Sequence, residues 1–449
     1  QADSLLQHRR KNLEKQLKNI KEAAGITKIL SIELERTAAF NSDLQKIKNS
    51  PEKFAKIANT FTNSKRRLLD SKALSKKLHK IAIETNDEND CLKLMVVAAD
   101  LEQHGFGFGE IHLRVNAAQI RNAMRPVDGK PISTSDSPNS QRLLIERLAQ
   151  RIKSEVAWEI NFKTIDEESA LARRQLMLAK QIIKHIDKNQ KIKLLIAECE
   201  KPLTIMSALY LAHKFDICNQ LDISPLFETS FGLEHGSKII EQLLDQSVFL
   251  KYVKKRKRLT IQTGFSDAGR FMGQIAANMA IERLQLKIIR CLRNKAQDKI
   301  KLLFFNTHGE SFGRGGTQSN IFDRQAFIMT PRVRAEADAL GIELSHQSSF
   351  QGGDGYRLFG SRELAYSTMK ELLRAEISLK NNNDKEDLFY QKTDFSLDLF
   401  TELKDWHEKL LSDPNYEELI TLFDGNLLPV TGSRPSKRNL KTDRSRSGP

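Results

Sequence analysis

The residues best placed to do chemistry come directly after short apolar runs. Pro225-Leu-Phe-Glu-Thr229 puts Glu228 at the end of one run. Ile261-Gln-Thr-Gly-Phe-Ser-Asp267 puts Asp267 at the end of another, with Arg270 three residues on. Phe304-Phe-Asn-Thr-His308 ends in His308 and opens the loop Gly309-Glu-Ser-Phe-Gly-Arg-Gly-Gly316, which carries Arg314, Gly315 and Gly316. Ser348-Ser-Phe-Gln-Gly-Gly-Asp-Gly355 follows a last, weaker run. Two carboxylates, a histidine and arginines suit a divalent cation and an anionic substrate. Hard cations take carboxylate oxygens, and guanidinium groups grip carboxylate or phosphate through two parallel bonds. Each residue alone has a plainer reading. A carboxylate after a strand is often a helix cap, and a single histidine is more often structural. A glycine loop is often only a turn, although such loops bring backbone N–H groups near phosphate. This one matches neither GxxxxGK(S/T) nor GxGxxG. The recurrence of such residues at regular intervals points to one site.

For them to converge, the apolar runs must be strands lying side by side. The runs are Gly109 to Val115, Lys193 to Ala197, Ile223 to Phe227, Leu259 to Gln262, Lys301 to Phe305 and, more weakly, Glu343 to Gln347. From the second onward they recur at roughly the length of a βα unit. Repeated βα units with apolar strands predict a parallel sheet covered on both faces, with functional residues at the C-terminal strand ends. An α/β barrel and an open doubly wound sheet both fit. The long gap between the first two runs contains a helix from Glu167 to Ile186 and needs a missing strand or a helical insertion. Residues 1–104 read as helices, with apolar spacing in Leu13, Leu17 and Ile20 and in Ile26, Ile29, Leu30 and Leu34. Pro51 marks a break, and Asn86 to Asp90 opens a run from Cys91 to His104. Residues 105–360 hold the α/β portion. Residues 361–424 return to helix in Glu363 to Leu379, Phe395 to Leu411 and Tyr416 to Phe423, and residues 425–449 read as a basic mobile arm.

The 449 residues are 39% hydrophobic and 29% charged, enough apolar material for a large core, which excludes wholesale disorder. No run of membrane-spanning length occurs. Cys91, Cys199, Cys218 and Cys291 are scattered, with no CxxC, so the expected compartment is reducing and cytoplasmic. The chain starts at Gln1 and ends in a polar stretch, and a piece of a longer protein is expected. The net charge of +15 is concentrated. Residues 251–258 hold six basic residues and no acid, and 431–449 hold Arg434, Lys437, Arg438, Lys441, Arg444 and Arg446 against Asp443. Such clusters can bind nucleic acid, acidic surfaces or phosphorylated small molecules. No RNA-binding aromatic pattern accompanies 251–258, so it reads as a solvated turn between a helix and a strand.

Taken together, these segments resemble the phosphoenolpyruvate carboxylase family, in the order that family uses them. Pro225 to Thr229 is similar to its PLFET segment, and Gly264-Phe-Ser-Asp267 with the helix from Gly273 is similar to GYSDSxKDAG. Phe305-Asn-Thr-His-Gly309 through Phe312-Gly-Arg-Gly-Gly316 resembles FHGRGGxxGRGG, and Thr431-Gly-Ser-Arg-Pro-Ser-Lys-Arg438 resembles GSRPxKR. Ile196 to Leu211 and Gly105 to Arg121 add weaker likenesses, to the SMxxxPSDxLxxxLL and FGLxxxxLDxRQ segments. The resemblance covers residues 105–438. It departs from the family in several places. The lysine of SDSxKDAG falls on Arg270, and the glycine loop is two residues shorter, with Glu310 where the first arginine would stand or that arginine lost. The arginine of LDxRQ falls on Asn116, with Arg114 two residues earlier. The TAHPTE loop and the SLRxIPW segment are not in the sequence.

The resemblance implies a TIM-type (β/α) barrel with many additional helices, helix predominating. It implies a lyase joining phosphoenolpyruvate and bicarbonate into oxaloacetate and phosphate with Mg²⁺ or Mn²⁺. Glu228 and Asp267 would ligate the metal. His308, Arg314 and Arg270 would be catalytic, and Arg314, Arg434, Arg114, Gly315 and Gly316 would bind substrate. The implied protein is a homo-oligomer without membrane or nucleic-acid partners. Two other readings stay open: a catalytically inactive relative or fragment acting as a binding or assembly module, and a basic nucleic-acid-binding protein.

Overall fold

The structure, a computed structural model, describes residues 2–45, 50–63, 67–106, 109–125, 137–295, 300–307, 318–348, 352–381 and 388–424. The chain forms two compact units, residues 1–196 with 203–223, and residues 197–202 with 224–449.

The first unit opens with helices α1 (Ala2–Leu17), α2 (Ala24–Gln45), α3 (Pro51–Thr62), α4 (Ser71–Glu84) and α5 (Glu88–His104). Pro51 sits in the first turn of α3, where it has no bond to lose, behind the N-cap Ser50. Leu13, Leu17, Ile20, Leu78, Leu94 and Phe106 are buried in one apolar cluster. Beside it Glu33 is buried between two arginines. Arg67 Nε donates to Glu33 Oε1 at 2.7 Å, and Arg10 Nη2 lies 3.5 Å from the same oxygen. Arg10 also donates to Thr37 Oγ1 at 2.7 Å, and Arg67 lies over the Phe61 ring. Strand β1 (Glu110–Asn116) follows, and then α6 (Ala117–Met124), α7 (Pro138–Ser154), α8 (Phe162–Glu167) and α9 (Leu171–His185). These four helices fill the long gap after the first strand, so the insertion is helical and the described residues add no strand there. Asp187, 1% exposed, accepts backbone N–H groups from Ser71, Phe106 and Asn189. Strand β2 (Lys191–Ala197), helix α10 (Pro202–Lys214) and strand β3 (Leu221–Phe227) come next.

The second unit takes up the end of β3. It continues with α11 (Ser230–Leu244), α12 (Ser247–Arg256), β4 (Arg258–Thr263), α13 (Ser266–Met272), α14 (Gln274–Lys295) and β5 (Lys301–Asn306). Then come α15 (Ile321–Ile328), α16 (Pro331–Ala339), β6 (Leu344–Ser348), α17 (Gly352–Phe359), α18 (Arg362–Asn381), α19 (Leu388–Gln391), α20 (Thr393–Leu411) and α21 (Pro414–Asp424). The basic stretch 251–258 is less of a turn than its charge suggests. Helix α12 runs through Arg256, Lys257 takes a left-handed φ of 56°, and Arg258 starts β4. Cations in a last helical turn complement the helix dipole.

All six apolar runs become strands, and they form one parallel sheet in the order β1-β2-β3-β4-β5-β6. A doubly wound sheet would reverse its order partway; this one never does. The sheet is open: among the described residues β1 and β6 are edges and do not meet. A (β/α)₈ barrel needs eight strands to close, so the six strands among the described residues form an open sheet in a helix-rich α/β fold, and the expected barrel is not seen closed.

Register assigns the two faces. Phe227 pairs with Thr263, Thr263 with Asn306, and Phe304 with His346. Helices cover this face. Helix α11 packs its Gly236 against the Phe227 ring, where a Cβ would lie 3.1 Å from ring carbons. Gln285 of α14 donates to Asn306 Oδ1 at 3.2 Å, and Gln325 of α15 meets His346 at 2.7 Å. On the opposite face Leu226 pairs with Gln262, and Thr260 with Leu303. There the side-chain oxygens of Ser224, Thr260, Gln262 and Ser345 are buried without a hydrogen-bond partner among the described residues. Polar atoms in that state point to water or a polar occupant.

Candidate active site

Strands β3, β4 and β5 end on one edge of the sheet, and hydrogen bonds knit that edge together. Gly264 N donates to Phe227 O at 3.0 Å, so the chain leaving β4 stays pressed against the chain leaving β3. Glu228 occupies the space this leaves. A Cβ on Gly264 would sit 2.6 Å from Glu228 Cβ and 3.0 Å from its Oε2. Only a residue without a side chain fits there beside the carboxylate.

Thr229 fixes the backbone on the other side of Glu228. Its hydroxyl accepts from Gly232 N at 3.0 Å as the N-cap of α11, and donates to Glu200 Oε1 at 2.7 Å. Glu200 follows β2 and was missed in the sequence, although its position just after the run Lys193 to Ala197 was the available signal. Between β4 and β5, Thr263 Oγ1 donates to Asn306 Oδ1 at 2.7 Å. Thr307 Oγ1 accepts from Phe265 N at 3.0 Å. These bonds set the start of α13.

Asp267 lies in the first turn of α13, and Arg270 one turn later faces it, Nη1 to Oδ1, at 3.7 Å. The arginine side chain is 66% exposed, so the pair is weak. His407 of α20 bonds the Arg270 carbonyl through Nε2 at 2.7 Å. A carbonyl only accepts, so Nε2 carries the proton there. Sequence reading missed this contact too, because it joins residues 137 positions apart.

The other expected residues divide as follows. Arg114 lies on β1 of the first unit with its side chain exposed. Asn116 serves α6 as a reciprocal capping box with Gln119, at 2.9 and 3.0 Å, so its amide is engaged locally. His308, Arg314, Gly315, Gly316 and Arg434 lie outside the described residues. Glu228 and the turn bearing Asp267 are thus brought to neighbouring strand ends. Among the described residues no three His, Cys, Asp or Glu side chains form a metal cluster. Two carboxylates suit a hard divalent cation that keeps positions open for water and substrate.

A sequence profile described as phosphoenolpyruvate carboxylase matches residues 3–329, starting well before the motifs and including the N-terminal helices. The stretch Thr431 to Arg438 lies beyond that match. Among curated relatives, the phosphoenolpyruvate carboxylase of Corynebacterium efficiens is 27% identical over 224 residues, 49% of this chain and 23% of its own. That of Corynebacterium glutamicum is 22% identical over 360 residues, 77% of this chain and 38% of its own. That of Acinetobacter baylyi is 24% identical over 252 residues, 55% of this chain and 26% of its own. The chain thus spans between about a quarter and two fifths of these relatives' lengths. With the family's profile covering most of its residues, and its glutamate and aspartate segments on adjoining strand ends, the chain belongs to the phosphoenolpyruvate carboxylase family.

Proposed function

We propose that this chain is the portion of a carboxy-lyase in which phosphoenolpyruvate and bicarbonate become oxaloacetate and phosphate. In this reading its six strands are part of a TIM-type (β/α) barrel, and the whole protein is a cytoplasmic homo-oligomer. The unbroken strand order supports that topology, since a barrel is wound in one direction. Among the described residues no helix is long and apolar enough to cross a membrane.

Glu228 and Asp267 would hold Mg²⁺ or Mn²⁺, whose Lewis acidity favours negative charge developing on substrate oxygen. The arginines do the anion binding. Arg270, Arg314 and Arg434, with Arg114 as a further candidate, would clamp phosphate and carboxylate groups, and the Gly315 and Gly316 N–H groups would approach phosphate closely. His308 would hold or deliver a proton at the reacting oxygen. One observation supports this reading above the others: Glu228 is seated against a side-chain-free Gly264 at the ends of adjacent parallel strands. The test is Mn²⁺ titration by calorimetry. Glu228→Ala and Asp267→Ala should each abolish binding while keeping the circular dichroism spectrum. Unchanged Mn²⁺ affinity in both variants would refute the assignment.

A second reading has its own support. Arg270 stands where the resemblance has a lysine, faces Asp267, and has its carbonyl bonded by His407. A guanidinium set against a metal carboxylate competes with the metal, as an inactive relative could tolerate. Phosphate release from phosphoenolpyruvate, with metal and bicarbonate present, separates the readings: the enzyme releases it, and the inactive relative binds Mn²⁺ without turnover.

A further inference from the structure

The second unit contains a cavity of about 460 Å³ in its helical layer, lined by α11, α14 and α20 with contributions from α16 and α19. Its walls are of two kinds. Leu233, Met279, Leu286, Leu397 and Phe400 give an apolar lining. Arg283 and Lys287, one turn apart on α14, bring two cations to the same space.

Glu234 of α11 is a carboxylate of the same lining and acts on Lys287, and most of the remaining charges are already matched. Arg290 pairs with Glu336 at 2.6 Å, Arg332 approaches the same carboxylate at 3.6 Å, and Lys404 meets Glu408 at 3.6 Å. Glu282 accepts hydroxyl protons from Thr330 and Tyr390. Arg283 and Lys287 have neither an ion pair nor a hydrogen bond among the described residues. Burial lowers the Lys287 pKa, and repulsion from Arg283 and Lys238 adds to it, with Glu234 as the smallest, opposing influence. Like charges one helical turn apart repel. An anion between them would relieve that repulsion, and an apolar body would fill the remaining volume, which suits one small molecule.

We propose that this cavity binds an amphipathic anion, with its carboxylate or phosphate head between Arg283 and Lys287 and its apolar body among Leu233, Met279, Leu286, Leu397 and Phe400. Neither half of the molecule suffices. A bare anion leaves the apolar wall wet, and a neutral chain leaves the lining's excess of positive charge unmatched. The cavity's volume, which suits one small molecule, favours a free single-chain molecule over a lipid held in a bilayer. The site is independent of the carboxylase reading, because none of its residues belongs to the proposed catalytic set.

The experiment is calorimetric titration of the whole chain with decanoate, decyl phosphate, 1-decanol and inorganic phosphate, and cosedimentation with phosphatidylglycerol vesicles. Decanoate and decyl phosphate should bind at least about tenfold more tightly than 1-decanol or inorganic phosphate, the scale of one charge-assisted contact. The double variant Arg283→Ala/Lys287→Ala should lose that advantage while keeping its melting temperature, because both side chains reach solvent. Phe400→Ala should weaken decanoate through the apolar end. Equal binding of decanoate and decanol, full affinity in the double variant, no binding of either anion, or binding to vesicles alone would each overturn the proposal.

Discussion

Glu228 and Gly264 share a space that holds only one side chain. They lie 36 positions apart, yet a single Cβ at 264 would collide with the glutamate at both its Cβ and its carboxylate. The placement of the carboxylate therefore depends on an atom that residue 264 lacks.

Gly264→Ala should push Glu228 out of its seat. We expect Mn²⁺ affinity to fall by about tenfold or more, with a stability loss of about 1–3 kcal/mol typical of overpacking. Calorimetry and thermal melting of the same variant measure the two effects. Native affinity in a folded Gly264→Ala protein would show that Glu228 is not a ligand.

Arg314 belongs to the glycine loop, where the resemblance implies a contact with substrate anions. Losing a desolvated arginine–anion contact costs about 2–4 kcal/mol of transition-state stabilisation. That is on the order of 30- to 1000-fold in turnover efficiency. Under the proposed carboxylase reading, Arg314→Ala should lose that much carboxylation with little change in melting temperature, and Arg314→Lys should recover part of it. Parental turnover in Arg314→Ala would favour the inactive relative.

Arg270→Ala removes the cation facing Asp267. The side chain is largely solvated, so the gain should be small: Mn²⁺ should bind about two- to fivefold more tightly. Under the proposed carboxylase reading, carboxylation should nevertheless fall if Arg270 also holds substrate. Tighter metal with undiminished turnover would assign Arg270 no catalytic part.

Strand positions were easy to read because each apolar run is bounded by charged or turn-forming residues, and all six runs lie within a few residues of the observed strands. Glu228 and Asp267 were legible for the same reason, as polar residues at the ends of apolar runs. Tertiary contacts were not. Gly264 looks like any turn glycine until the neighbouring strand brings Glu228 against it. Glu200 shows its part through its bond to Thr229, although its place after the second apolar run was a signal, and His407 shows only through the Arg270 carbonyl. The charge at 251–258 suggested a turn, yet Tyr252 and Val253 are buried and hold the segment in a helix. Strand number and closure cannot be read from periodicity, which reports each strand separately.

The buried Arg10–Glu33–Arg67 cluster should make Glu33→Ala strongly destabilising. Both guanidinium groups would remain buried without their shared carboxylate. Burial already lowers both their pKa values, and Glu33 opposes that shift. Removing one partner of a buried ion pair costs about 3–5 kcal/mol. Urea denaturation of Glu33→Ala should show this as a lower midpoint at unchanged slope.

Acid should weaken the first unit through His185. Burial first, and then the positive charges of Lys184 and Arg67, hold its pKa at about 4 against an ordinary 6.5. The unfolded chain therefore binds a proton between those values while the folded chain does not, so stability falls as pH drops from about 6.5 to 4. Denaturation midpoints measured across that window should fall, and His185→Gln should flatten the slope. An unchanged slope in the variant would remove His185 from the account.

The unbroken strand order has a consequence for how the chain is made. Arg258 pairs with Lys301 and Leu302 with Leu344, so these parallel pairings each close the loop of one strand-to-strand crossover, whereas the step from β1 to β2 spans four helices. From β2 onward these closures are shorter than pairings between strands distant in the chain would need, which lowers contact order for a parallel sheet. Domains fold from the N-terminus as they leave the ribosome, and here each emerging strand finds its partner already in place. The sheet can grow by addition at one edge during synthesis, and among the described residues β6 is that edge.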